Sequence, residues 1–275
     1  MAHLAGRAGG VYTDAEVVED CENNWTSDAG STSADADDTA GYFKVGSYSV
    51  KVIIPIGTAD EALCAHTAPL DGNLSDRDII YLWVYDSVGF AADTMALLLD
   101  GDAACTSPEK TLLFPVVAAT TWTRVALDLG DASGLTAVGA VGIEQVTDLL
   151  AHNMWVDDIQ AISIVDGIKS WSLDYTLDTM DTTDFADGGT TPHPRSFLPG
   201  LSGWSGSFEG YKDGVPKALS FSSAVKLVLA ETITAGQNWI GDAFITGIHP
   251  NVSVDGVISY TYDFVGTGAL EEAVV

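Results

Sequence analysis

Apolar residues in this chain return at every second position or crowd into short β-branched runs, and almost nowhere at the 3.6-residue spacing of a helix. A period of two puts successive side chains on opposite faces of an extended strand, so such a chain must pair its backbone into sheets. The runs include SYSVKVIIPI (Ser47–Ile56), DIIYLWVYD (Asp78–Asp86), TMALLLD (Thr94–Asp100), WTRVALDL (Trp122–Leu129) and MWVDDIQAISIV (Met154–Val165). They continue through IKSWSLDYTLDT (Ile168–Thr179), SGSFEGY (Ser205–Tyr211), VKLVLAETI (Val225–Ile233), DAFITGIHP (Asp242–Pro250) and GVISYTYDFVG (Gly256–Gly266). Strands of this length, separated by Gly, Asp, Ser and Thr, predict a mostly antiparallel all-β protein. IIYLWVYD is apolar on both faces and is expected at the centre of a sandwich. The one helix signal is PKALSFSS (Pro216–Ser223), with proline near a first turn. Ser133–Ala151 is ambiguous, and its glycines favour strand plus loop.

Charge narrows the function. The 39 acidic and 11 basic residues of the 275 give a formal net charge of −28, yet 47% of residues are hydrophobic. The chain can therefore bury a core, unlike a disordered acidic polymer. Phosphate backbones and anionic lipids are bound through Lys and Arg, so a basic nucleic-acid or membrane-surface binder is excluded. No apolar run reaches the roughly 18 residues that span a bilayer, and Met1–Tyr12 lacks the apolar core of a secretory signal peptide. Cys21, Cys64 and Cys105 are odd in number and widely spaced, which argues against a disulfide scaffold or zinc site and for core thiols in a chain made in a reducing cytoplasm.

No catalytic constellation emerges. His3, His66, His152, His193 and His249 stand in no HxH or HExxH spacing. GWSGS (Gly203–Ser207) ends in Ser207 where a nucleophile elbow needs glycine, and it lies within a strand pattern. Asp157 and Asp158 are adjacent, whereas a glycosidase pair must flank one bond from facing positions. The acids Asp178, Asp181, Asp184 and Asp187 recur every third residue, unlike an EF-hand, and read as an acidic, Thr-rich connecting loop. Trp83 and Trp122 read as core residues. Trp171, Trp204 and Trp239 are open between core and subunit contact. Tyr42, Phe43 and Tyr48, beside the polar STSADADDTAG, are the candidate exposed aromatics for glycan contact.

Two resemblances organise the chain. The segments Val18-Glu19-Asp20-Cys21-Glu22, GSYSVKV, LSDRDIIYLWVYDS, TTWTRVALDL and MWVDDI resemble the carbohydrate-binding-module (galactose-binding-like) type of jelly roll over Asp14–Asp166. That resemblance implies a structural calcium at Glu22, Asp20 and Asp157 or Asp158. Adjacent strand residues face opposite ways, so only one of the two aspartates is expected to ligate. A solvated acid or an acceptor of N–H bonds is the alternative for each.

The last third is more specific. KSWSLDYTLDTMDTTDF, PGLSGWSGSFEGY, GDAFITG and VISYTYDFVGTG occur in an order that resembles the tail tube (major tail) proteins of long-tailed bacteriophages, and AGRAGGVY (Ala5–Tyr12) resembles their opening strand. The resemblance implies a tube-like β domain in two pieces, 1–13 and 167–275, interrupted by the jelly roll of 14–166. It also implies a virion structural protein with no catalysis, assembling into stacked rings, six subunits to a ring, with other tail proteins. DNA would pass through the lumen without tight binding. Asp178, Asp181, Thr182, Thr183, Asp184 and Phe185 would form a loop reaching a neighbouring subunit. The rival reading is a tail- or capsid-mounted module that binds polysaccharide. Residues 14–166 hold 26 acidic and 5 basic side chains, so most of the charge falls on the inserted module.

Overall fold

The computed structural model of the chain describes residues 9–27, 33–58, 61–67, 72–102, 104–183, 195–211, 219, 222–231, 237–252, 254 and 256–273. All regular structure among these residues is β. The strands are β1 (Gly10–Glu19), β2 (Thr26–Ser27), β3 (Ser33–Asp37), β4 (Ser49–Ile54), β5 (Glu61–Thr67), β6 (Ile79–Asp86), β7 (Met95–Asp100) and β8 (Lys110–Leu113). They continue as β9 (Thr123–Asp128), β10 (Ala140–Gln145), β11 (His152–Ile164), β12 (Ile168–Asp181), β13 (Phe197–Tyr211), β14 (Val225–Ala230), β15 (Asn238–Asn251) and β16 (Ser259–Ala273). Of the expected helix at Pro216–Ser223, five residues lie outside the described residues, and Leu219, Ser222 and Ser223 are not helical. Within Ser133–Ala151, the glycine-rich segment resolves into strand β10 flanked by loops.

The chain divides into two compact units. One comprises Met1–Ile164, Val228–Ile240 and Glu272–Val275; the other comprises Val165–Leu227 and Gly241–Glu271. The first is a sandwich. One of its sheets is β2-β5-β10-β7-β8. The facing sheet is built on β11, whose thirteen residues carry β6 along one edge. The other edge is shared: β4 takes His152–Val156 and β1 takes Ile159–Ile164. Strand β1 is in turn paired on its far side with Val228–Ala230 of β14. Every second residue points inward. Val50, Val52 and Ile54 of β4, Ile80, Leu82 and Val84 of β6, and Leu97, Leu99, Val141 and Ile143 of the opposite sheet meet in one buried cluster. As the all-apolar run predicts, β6 is central, flanked by β11 and β9.

In the second unit, β12, β13 and β16 pair antiparallel in register, and the two faces differ chemically. One carries cross-strand rows Trp171–Phe208–Tyr262 and Leu173–Gly206–Phe264; the other carries Ser172–Ser207–Asp263 and Ser170–Glu209–Thr261. Trp204 closes the apolar face. Its indole is buried, and Nε1–H donates to Gly268 O at 3.3 Å. It lies in a slot made by missing side chains: a β-carbon on Gly266 would overlap the indole, and one on Gly241 would come within 2.5 Å of Cζ2. The apolar row does not stop where the core stops. Tyr175 and Leu177 continue it along β12 but are 61% and 57% exposed.

Overpacking a filled site costs about 1–3 kcal/mol, and the rigid indole cannot swing aside as a flexible chain would. Gly266→Ala should therefore lower stability by about 3 kcal/mol, read as a reduced urea midpoint. An unchanged midpoint contradicts the slot.

Candidate functional site

Three surfaces gather the residues that the sequence singles out. The first lies where β11 passes from one edge partner to the other. A shift in the β11–β6 register between Asp157 and Gln160 places Asp158 at φ 51°, in the left-handed region. This is a β-bulge, and it corrects the expectation drawn from strict alternation: both aspartates are buried instead of facing opposite ways. Asp157 Oδ2 accepts the Lys44 and Val45 N–H groups at 2.6 and 3.0 Å. Glu22 Oε1 accepts those of Ser47 and Tyr48 at 2.8 and 3.3 Å. Gly46, at φ 69°, allows this wrapping, because a β-carbon there would collide with the Glu22 carboxylate. Asp20 Oδ1 accepts from the Glu22 N–H, and Asp158 Oδ1 from the Gln160 amide. The carboxylates thus tie the 44–48 loop to the sheet.

Among the described residues no three His, Cys, Asp or Glu side chains are grouped so that they could hold a metal. A hard cation such as calcium needs six or more oxygens. One carboxylate oxygen here, Asp157 Oδ1, is buried without a hydrogen-bond partner. Burial, reinforced by Asp158 and Glu22 and opposed by the two N–H bonds, pushes the Asp157 carboxyl up to about 6. Behind it Cys21, at φ 60°, is fully buried, and burial raises its thiol further. Cys64 and Cys105 are also buried and unbridged, each pushed up to about 12 by burial, so none of the three is a reactive thiolate.

The second surface is the face of the β4–β11–β6–β9 sheet turned away from the sandwich core. Trp155 stands between Lys51 of β4 and Tyr85 of β6 in cross-strand register. Tyr42 stacks on Trp155 at 4.4 Å and meets Tyr85 edge-on at 5.3 Å, and Trp122 lies 5.7 Å beyond Tyr85. Hydrogen bonds fix the indoles, Trp155 Nε1–H to Asp37 Oδ2 and Trp122 Nε1–H to Gly41 O, both at 2.9 Å. Of the expected aromatics, Tyr42 and Phe43 are half-buried and Tyr48 is exposed, but only Tyr42 joins this group. Trp122, expected in the core, is half-buried on this outer face. Trp83 is buried as expected but on the same outer side, with the Lys44 ammonium 4.4 Å above its ring and the Arg124 guanidinium at 5.3 Å. The sequence missed Tyr85 and Trp155, because one face of an all-apolar run cannot be told from the other before its partner strands are known.

The third is the β12–β13 hairpin. Asp178 and Asp181, expected in a connecting loop, belong to β12; the strand runs to Asp181 because Met180 and Asp181 pair with Leu198 and Phe197. Thr182 and Thr183 follow it, the Thr182 N–H donating to Ser196 O, while Asp184 and Phe185 lie outside the described residues. Trp171 and Trp239 are half-buried. Among the described residues, His249 Nε2 and Asp263 Oδ2 form an exposed pair at 2.9 Å, and the nearby Ser207 hydroxyl faces that of Ser172 at 3.3 Å.

No protein-family model matches the chain, and no curated protein matches it. Among solved structures, a chain in the virion of a native gene transfer agent particle is similar at 19% identity and a TM-score of 0.36, over 41% of this chain and 89% of that one. A chain in the tail of an empty gene transfer agent particle, refined with C6 symmetry, gives the same identity, TM-score and share of this chain, and 87% of its own length.

The Asp157 carboxyl binds protons more tightly in the folded chain than at its ordinary value near 3.9. The folded state therefore holds more protons between about pH 4 and pH 6, and stability from this group falls as pH rises through that window, then levels. Asp157→Asn keeps an oxygen for the Lys44 and Val45 N–H groups and removes the charge. The variant should match the parent near pH 4 and be the more stable by about 2–3 kcal/mol at pH 7 in urea titrations. A variant that loses as much stability at pH 7 as at pH 4 contradicts this.

Proposed function

We propose that this chain is a structural subunit of a bacteriophage tail, assembling with copies of itself into stacked rings that conduct DNA. The observation that carries the reading is the two-faced β12–β13–β16 sheet, whose apolar row runs past its own core onto the exposed residues Tyr175 and Leu177. Soluble chains seldom leave such a row unpartnered, and among the described residues β12 pairs with β13 alone, so its outer edge also offers unpaired backbone groups. A heterologous contact repeated by rotation closes into a ring and removes both exposures at once. Ser170, Ser172, Ser207, Glu209 and Asp263 on the opposite face suit a lumen wall: small hydroxyls and acids attract no phosphate, and the Lys169 ammonium beside them is paired with Glu209 at 2.6 Å. Six subunits to a ring, and partner proteins of the tail, are what the resemblance of Ile168–Leu270 to tail tube proteins implies. The acidic sandwich would then stand on the outside of the tube as a decoration.

The outer-face aromatics favour a second role for that decoration. Tyr85 and Trp122 are half-buried, with flat faces braced by Tyr42 and Trp155, an arrangement on which a sugar ring can stack. The sandwich would hold polysaccharide while the second unit mounts it on the particle.

Electron microscopy of the purified chain should show rings or tubes with external knobs; a persistent monomer at high concentration contradicts the tube reading. Tyr175→Ser combined with Leu177→Ser removes two large apolar contacts, worth about 3 kcal/mol together, and should weaken self-association about a hundredfold in sedimentation while leaving the folding midpoint in place. Unchanged association places the contact elsewhere. In a glycan screen of the full chain, any ligand bound by this face should lose at least tenfold in affinity with Trp122→Ala; a ligand held equally well by the variant argues against the platform.

A further inference from the structure

The sandwich contains a histidine–carboxylate pair that is sealed from solvent and unrelated to the surfaces described above. His152 opens β11 and Asp86 closes β6, and both side chains are wholly buried. His152 Nδ1 lies 2.8 Å from Leu150 O. A carbonyl oxygen can only accept, so Nδ1 carries a hydrogen. In the neutral ring the remaining nitrogen, Nε2, then presents a lone pair, and it faces Asp86 Oδ2 at 3.4 Å. Neither atom has another partner. A lone pair against an ionised carboxylate in a sealed, apolar setting is repulsive, and burial alone already raises the Asp86 carboxyl. One proton between the two atoms removes the conflict, whether it resides on the imidazole or on the acid.

We propose that His152 and Asp86 trap a single shared proton, and that this proton latches the loop before β11 to the turn after β6. The fastening extends through Asp86 on both sides. Its Oδ1 accepts the Val88 and Gly89 N–H groups at 2.9 and 2.7 Å, and its carbonyl accepts the Thr120 N–H at 2.7 Å. On the other side the histidine holds Leu150 O, two residues after Asp148, whose carboxylate accepts the Gly57 N–H. The proton thus joins the 55–58, 87–90, 119–121 and 146–151 segments at one end of the sandwich. The neighbours across the strands add little charge. Ile54 of β4 sits opposite His152, and Tyr85 is the ionisable side chain that senses Asp86.

The sign follows from proton counting. In the unfolded chain the histidine releases its proton near pH 6.5 and the acid near 3.9. The folded pair keeps one proton above that, so it contributes stability at neutral pH that is lost as pH rises through the pair's own titration. Each pH unit in that range costs up to a tenfold fall in the folded-to-unfolded ratio, the limit for one proton.

Asp86→Asn is the discriminating variant. Its oxygen keeps the Val88 and Gly89 N–H groups, and its amide donates to Nε2 without any titrating proton. Urea titrations from pH 6 to pH 10 should show the parent losing stability relative to this variant by about one proton, approaching tenfold per pH unit over part of the range. Parallel curves overturn the proposal. Should the variant fail to fold, solid-state NMR of the unsubstituted, histidine-15N-labelled protein decides, whatever its assembly state. One histidine should keep Nδ1 protonated and remain untitrated from pH 5 to pH 8. A neutral Nε2–H tautomer at His152, or titration of every histidine near the free value, overturns it.

Discussion

The shared edge of β11 is the constraint on which the sandwich depends. Along one side β11 is bonded to β6, with one register shift after Asp157, but along the other it must serve β4 and then β1. Two strands cannot follow one edge without a break between them, and the break is taken up by the bulge at Asp157–Asp158 and by the irregular pairing of β1 at Val17–Glu19. Bulges leave backbone groups to be satisfied locally, and acids are what this chain places there. Asp157 and Glu22 gather the amides of the 44–48 loop. Glu19, wholly buried, accepts the Cys21 N–H and meets His66 at 2.8 Å. The acids in this region act first as structural acceptors.

The same strand arrangement bears on chain organisation. Because β1 lies between β11 and the end of β14, the start of the chain, the last sandwich strand and a much later strand are neighbours in space. A module whose entry and exit strands are adjacent can be carried in a loop of another domain without distorting it. The second unit has the opposite economy. Its core is thin, held by one tryptophan in a glycine slot and a ladder of aromatic rows, and its apolar surface outruns what it can cover alone.

Much of this was legible in the sequence. Alternation and β-branched runs located the strands, and the uninterrupted run of β6 announced a strand flanked on both sides. What failed did so for physical reasons. A bulge cannot be seen in a pattern that assumes perfect alternation, so Asp157 and Asp158 were assigned opposite faces. The run of acids and threonines after Leu177 looked like a loop because strand propensity is weak there, yet Met180 and Asp181 pair with Leu198 and Phe197. The glycines of VGTG and WIGD were visible, but not that they clear space for one indole. Contacts such as Tyr85 with Trp155, or His152 with Asp86, join residues some seventy positions apart and exist only once β6 and β11 are in register.

The central claim is that the exposed edge and apolar row of β12 are buried by another copy of the same chain. Hydrogen exchange along Trp171–Asp181, compared between dissociated and assembled protein, tests it most directly. Amides on the outer edge of β12 should exchange at least a hundredfold more slowly in the assembly, while those of β6 in the sandwich core stay as they were. Equal exchange along β12 in the two states would contradict the account.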